Sequence, residues 1–173
     1  MVQALKDADC KLLSSQEVVS VQAQGGMVVD IRPAGDYEKS HIPGAVSVPF
    51  YRPIAGWSPM QAMRRVAFAA FGILNGTEVN PDFEKEVDAA AADAKSVILY
   101  CNQGGNFNVM EMGKASFMPD KPDGESRGGK TVLQTRSVIA AYRLLVCGRT
   151  SGLSVYKGGF REWVSSGERP VEQ

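Results

Sequence analysis

Apolar residues along the chain fall into two patterns that alternate: short β-branched runs and longer stripes at helical spacing. Met27-Val28-Val29-Asp30-Ile31, stopped by Pro33, predicts a buried strand whose charged end, Asp30 and Arg32, leaves the core. Ala45-Val46-Ser47-Val48 lies between Pro43-Gly44 and Pro49 and predicts a second strand. Val97-Ile98-Leu99-Tyr100 is the most strand-like segment and delivers the chain to Cys101, then to Asn102-Gln103-Gly104-Gly105. Leu153-Ser154-Val155-Tyr156 predicts a last strand.

Helices are expected between these strands. Ser14-Ser15 opens a short capped helix ended by Gly25-Gly26. Met60, Met63, Val66, Ala67, Ala70, Phe71 and Leu74 recur at helical spacing and predict an amphipathic helix, packed on the sheet and ending near Asn75-Gly76. Asn80-Pro81 suits the start of a helix running to about residue 92, with Asn80 as its cap. Thr135-Arg136-Ser137 opens a helix that turns Ile139, Ala140, Leu144 and Val146 to the core and stops at Gly148. Gly158-Gly159 leads into a last short helix through Phe160-Arg161-Glu162-Trp163, ending near Gly167. Strands alternating with helices predict an α/β fold with a mostly parallel sheet. Such sheets place their chemistry at the carboxyl ends of the strands, where Cys101 stands.

With 173 residues, 44% of them hydrophobic, the chain suits one core and one domain, spanning 1–173. Nineteen Lys and Arg residues balance nineteen Asp and Glu, which points away from a nucleic-acid partner and leaves small neutral or anionic substrates. Cys10, Cys101 and Cys147 are too widely spaced for a disulfide framework or a paired-thiolate zinc site, so a reducing compartment and neither metal nor cofactor are expected. Cys10 is expected in a mobile terminus, and Cys147 at a helix end. The longest apolar stretch, near 66–74, falls short of the roughly 20 residues that span a bilayer. The start at Met1 has neither a secretory nor a transit-peptide pattern.

Four segments in order resemble the rhodanese-like domain family. Val29-Asp30-Ile31-Arg32, Tyr37-Glu38, His41-Ile42-Pro43-Gly44-Ala45 and Val48-Pro49 resemble its first signature, with Ser40 where glycine is usual. Val97 through Cys101 resembles the strand and its nucleophile, and Arg136-Ser137 with Ala140-Ala141 resembles the helix that follows. Tyr156-Lys157-Gly158-Gly159-Phe160-Arg161-Glu162-Trp163 matches the closing signature. The resemblance implies a central, mostly parallel five-stranded sheet with helices on both faces, carrying insertions at about 50–80 and 106–134. The first insertion, with Asn75-Gly76-Thr77 and Asn80-Pro81, looks like that of plastid rhodanese-like proteins of plants and algae. A chloroplast location follows from that likeness, with the cytoplasm as the alternative.

What the family does implies sulfur transfer. A Cys101 thiolate would take the outer sulfur of thiosulfate or a persulfide donor and pass it to a thiol or cyanide-like acceptor. In that scheme the backbone of Asn102, Gln103, Gly104 and Gly105 cradles the anion, and Arg136 assists in binding it. Asp30 and Arg32 are expected to pair and fix a strand end, and His41 to stabilise a turn. The pattern departs from the family most at one place: the usual short loop between the cysteine and the Arg-Ser pair is here the long segment 102–135. Met110, Met112, Phe117 and Met118 within it would cover a mouth or a protein-partner surface. A catalytically weak rhodanese fold that binds a protein through this loop is therefore the alternative reading. Phosphatase chemistry is disfavoured, because Phe107 stands where that branch carries arginine.

Overall fold

The computed structural model describes residues 1–54, 58–70, 76–105, 107, 135–149, 152–166 and 170–172. In chain order the elements are α1 (Val2–Asp7), β1 (Lys11–Leu13), α2 (Ser15–Ala23), β2 (Gly26–Asp30), α3 (Ala34–Tyr37), β3 (Val46–Ser47) and β4 (Tyr51–Pro53). They continue with α4 (Pro59–Ala70), β5 (Thr77–Val79), α5 (Phe83–Ala90), β6 (Ser96–Tyr100), α6 (Arg136–Val146), β7 (Leu153–Tyr156) and α7 (Gly159–Ser165). Five strands form one sheet in the order β1-β7-β6-β2-β3, and every pairing in it is parallel. The expected α/β class and five-stranded parallel sheet are thus found.

β6 lies in the middle because its run of apolar side chains is buried on both faces. Val97, Leu99 and Cys101 point into a cluster with Val29, Ile31 and Val155 of the sheet, Val138, Ala141 and Leu144 of α6, and Leu5 and Val87 of α1 and α5. Ile98 and Tyr100 point the other way, toward Val18 of α2 and Phe160 and Trp163 of α7. The alternation along one strand therefore decides that Cys101 faces α6 while its neighbour Tyr100 faces α7.

Several expectations need correction. The amino-terminal segment is not a loose end: α1 packs on the core and β1 pairs with β7, which leaves Cys10 buried. A three-residue strand is too short to show periodicity. The α4 stripe does not pack on the sheet, for Met60, Met63 and Val66 are 61%, 61% and 69% exposed. The two sheet faces are already covered by α1, α5, α6 and by α2, α7, and α4 instead flanks a separate antiparallel ribbon of β4 and β5, to which Arg64 is joined by an ion pair with Glu78. The expected end of that helix, with Phe71 and Leu74, lies outside the described residues. Val146, expected inside, is exposed at the last turn of α6. Asn80 does not cap α5 directly: Asp82 holds that position, and the Asn80 side chain accepts the Asp82 N–H while donating to the Pro49 carbonyl and Glu86. Among the described residues no helix is long and apolar enough to cross a membrane.

Burial, reinforced by the neighbouring Asp9 charge, pushes the Cys10 thiol from 9.0 up to about 12. A group whose pKa is raised on folding contributes stability that is complete below its unfolded value and is lost as pH climbs through its folded value. Urea midpoints are therefore expected to fall as pH rises from about 9 toward about 12, and less steeply in Cys10→Ala. Equal slopes in the two proteins would show that Cys10 is not held in this way.

Candidate functional site

Cys101 ends the central strand, and its side chain is 3% exposed. Beside it stands Ser137, fully buried in the first turn of α6, with its Oγ 3.4 Å from the Cys101 Sγ. Thr135, immediately before that helix, brings its hydroxyl to 3.1 Å from the Ser137 Oγ. The α6 amino terminus thus returns to the sulfur even though residues 102–134 intervene. Phe107 is buried in the same cluster as Cys101.

The backbone after Cys101 is held from the opposite face. The Phe160 N–H donates to the Cys101 carbonyl at 2.8 Å, and the Arg161 N–H donates to the Asn102 carbonyl at 3.1 Å. Among the described residues no peptide bond is cis, and in a trans peptide the C=O and N–H point in opposite directions. With both carbonyls drawn toward α7, the N–H groups of Asn102 and Gln103 point away from it. Asn102 and Gln103 are exposed, whereas Gly104 and Gly105 are buried.

Gly104 and Gly159 make this approach feasible. Gly104 has φ +58, and a Cβ there would lie 1.9 Å from the Lys157 carbonyl oxygen. Gly159 has φ +64, and its Cβ would come within 2.1 Å of the Gly104 nitrogen. Both backbones must be bare to touch, and both conformations disfavour an L side chain. The closing glycine pair therefore supports the loop after the cysteine, a function its position in the sequence did not reveal.

A buried polar network ties the same strand ends together. Asp30 accepts from the Arg32 Nε, Nη2 and backbone N–H at 2.6 to 3.0 Å, and Arg32 also donates to the Ser40 carbonyl at 2.7 Å. The Tyr100 hydroxyl donates to Asp30 at 2.6 Å and accepts the Ile42 N–H at 3.2 Å. The Arg32 guanidinium lies 3.8 Å from the centre of the Phe160 ring, the residue whose N–H holds the Cys101 carbonyl. Burial, followed by the negative charge of Asp30, pushes the Tyr100 phenol well above its ordinary range, so it remains a neutral donor. Burial works against the Arg32 charge, and the hydrogen bonds and charge of Asp30 more than offset it, leaving the guanidinium pKa raised.

The remaining expected site residues are dispersed. Arg136 opens α6 with an exposed side chain whose guanidinium is 5.7 Å from the centre of the Tyr51 ring. His41 stacks on Tyr37 at 3.8 Å, with its Nδ1 3.0 Å from the Tyr37 carbonyl, and joins Glu172 through an antiparallel bridge and a 3.3 Å side-chain contact. Cys147 is exposed. Met110, Met112, Phe117 and Met118, and with them the partner surface expected on 106–134, lie outside the described residues. The linear pattern does not mark Ser137 and Thr135 as site residues; the hydroxyls flanking Arg136 are the one signal it offers.

Residues 14–115 match the rhodanese-like domain family. The chloroplastic rhodanese-like domain-containing protein 14 of Arabidopsis thaliana is 33% identical over 158 residues, which cover 91% of this chain and 62% of that protein. This chain therefore spans less than two thirds of that relative's length. Among solved structures, the thiosulfate sulfurtransferase of Pseudomonas aeruginosa is 17% identical with a TM-score of 0.48, covering 99% of this chain and 22% of that one. A human single domain sulfurtransferase is 15% identical with a TM-score of 0.43, covering 90% and 96%. The chain belongs to the rhodanese-like domain family.

Gly159→Ala is expected to lower stability by about 1–3 kcal/mol in urea unfolding, through left-handed strain and overlap with Gly104. Gly35→Ala, in α3 with nothing within 4 Å of the added carbon, serves as the control and is expected to leave the midpoint unchanged or slightly raised. An unchanged Gly159→Ala midpoint would mean that the two backbones do not press together.

Proposed function

We propose that this chain is a sulfurtransferase that carries a sulfane sulfur on Cys101 between a small anionic donor and a thiophilic acceptor. The carrying observation is the return of the α6 amino terminus to the sulfur, with the Ser137 Oγ 3.4 Å from the Cys101 Sγ, beside a loop whose first two N–H groups point away from α7. Both arrangements favour negative charge, and a thiolate is the nucleophile this chemistry requires.

In the proposed reaction the Cys101 thiolate attacks the outer sulfur of thiosulfate. The thiosulfate S–S bond breaks, its electron pair leaves with sulfite, and Cys101 holds a persulfide anion. A thiolate or cyanide then attacks the outer sulfur, the cysteine S–S bond breaks, and its pair returns to the Cys101 Sγ. Backbone N–H groups of Asn102, Gln103, Gly104 and Gly105 are the proposed cradle, and Arg136 at the entrance to α6 is the proposed attractor of the donor. We assign Asp30 and Arg32 the holding of the strand end, and His41 that of the turn and the segment around Glu172. The plastid is the proposed location, supported by the chloroplastic relative.

A second reading, a binding module with little catalysis, is favoured by the 3% exposure of Cys101, which leaves a solute little sulfur to reach. Intact mass after thiosulfate treatment separates the two. The sulfurtransferase gains one sulfur atom, loses it to cyanide, and gains none as Cys101→Ser. An unmodified wild type would overturn the sulfurtransferase reading and favour the binding module.

A further inference from the structure

We propose that Thr135 is a positioning residue for the reacting sulfur, acting through Ser137; this inference rests on the persulfide reading above. Thr135 occupies the N-cap position of α6 with extended backbone, φ −66 and ψ 158, the conformation from which a threonine hydroxyl ordinarily caps the helix. Its side chain makes no cap hydrogen bond. The hydroxyl is directed instead to the Ser137 Oγ at 3.1 Å, and Ser137 in turn stands 3.4 Å from the Cys101 Sγ. A residue well placed to stabilise the helix thus makes its contact toward the nucleophile.

The proton count gives that contact its meaning. A hydroxyl has one hydrogen to donate and lone pairs to accept, whereas a thiolate only accepts. With a thiolate at Cys101, the Ser137 hydrogen is directed to sulfur and the Thr135 hydrogen to the Ser137 oxygen. That is the one orientation in which both contacts are hydrogen bonds. Negative charge appears on Sγ when an acceptor attacks the outer sulfur of the persulfide and the S–S electron pair returns to the cysteine. The hydroxyl pair is therefore built to favour delivery of sulfur from the persulfide, the step in which Sγ is the leaving group. Ser137 is buried completely and Cys101 almost so, which keeps water from replacing the contact between them.

The test resolves the two half-reactions by rapid mixing, following persulfide loading by thiosulfate and unloading by cyanide in the full chain. Thr135→Val keeps the shape of the side chain and removes its hydroxyl; Thr135→Ser keeps the hydroxyl. Unloading is expected to slow about tenfold in Thr135→Val and to stay within about twofold of wild type in Thr135→Ser. The thermal midpoint of Thr135→Val is expected to fall only slightly, because the hydrogen bond it loses is part-buried and no cap hydrogen bond is removed. Unloading of Thr135→Val at the wild-type rate would overturn the relay while leaving the persulfide reading intact. A rate loss that tracks a lowered midpoint and is not repaired by serine would overturn it as well, in favour of a structural role. A wild type that takes up no sulfur would overturn both.

Discussion

The carbonyls of Cys101 and Asn102 are committed to the first turn of α7, and the orientation of the loop after the cysteine depends on that commitment. Because peptide groups are planar, fixing two carbonyls fixes two N–H groups on the other side without any residue having to reach them. The bare backbones of Gly104 and Gly159 allow the approach, and Arg32 over the Phe160 ring steadies the donor. Asp30 then joins Arg32 to Tyr100, the residue just before the cysteine. One continuous set of contacts thus runs from the end of β2 through β6 to α7. Breaking it by removing Asp30 would leave the buried guanidinium uncompensated, a change that costs several kcal/mol in proteins generally.

The two faces of the sheet divide the work. The α7 face supplies backbone geometry and the charged network, while the α6 face supplies the hydroxyls and the apolar wall around the sulfur. Strand alternation makes this division automatic, since Tyr100 and Cys101 are neighbours in sequence and point to opposite faces. It also explains how a long segment is tolerated between the cysteine and α6. The position of α6 is set by Val138, Ala140, Ala141 and Leu144 packing on the sheet, independently of the length of chain that leads to it.

Much of this fold was legible in the residues. The β-branched runs ending at Asp30, Tyr100 and Tyr156 became β2, β6 and β7, because a strand buried on both faces needs an unbroken apolar run. The start of α6 was legible at Thr135-Arg136-Ser137, and the ion pair of Asp30 with Arg32 at a strand end. The three-residue strands β1, β4 and β5 were not, since so short a segment cannot display a period. The α4 stripe was misjudged because periodicity reports a helix with an apolar face and not whether anything covers that face. At the site, Cys101 and its glycines were identifiable from a strand running into a turn. The placement of Ser137, Thr135 and Gly159 depends on contacts between distant segments, which a linear pattern does not carry.

Amide NMR of the Asn102 and Gln103 N–H groups, recorded before and after thiosulfate treatment, tests the central claim most directly. Both proton resonances are expected to move as Cys101 becomes a persulfide anion, while Phe160 and Arg161, bound to carbonyls, remain protected from solvent exchange in both states. Unmoved Asn102 and Gln103 resonances in a protein that has gained sulfur, or rapid exchange at Phe160 and Arg161, would contradict it.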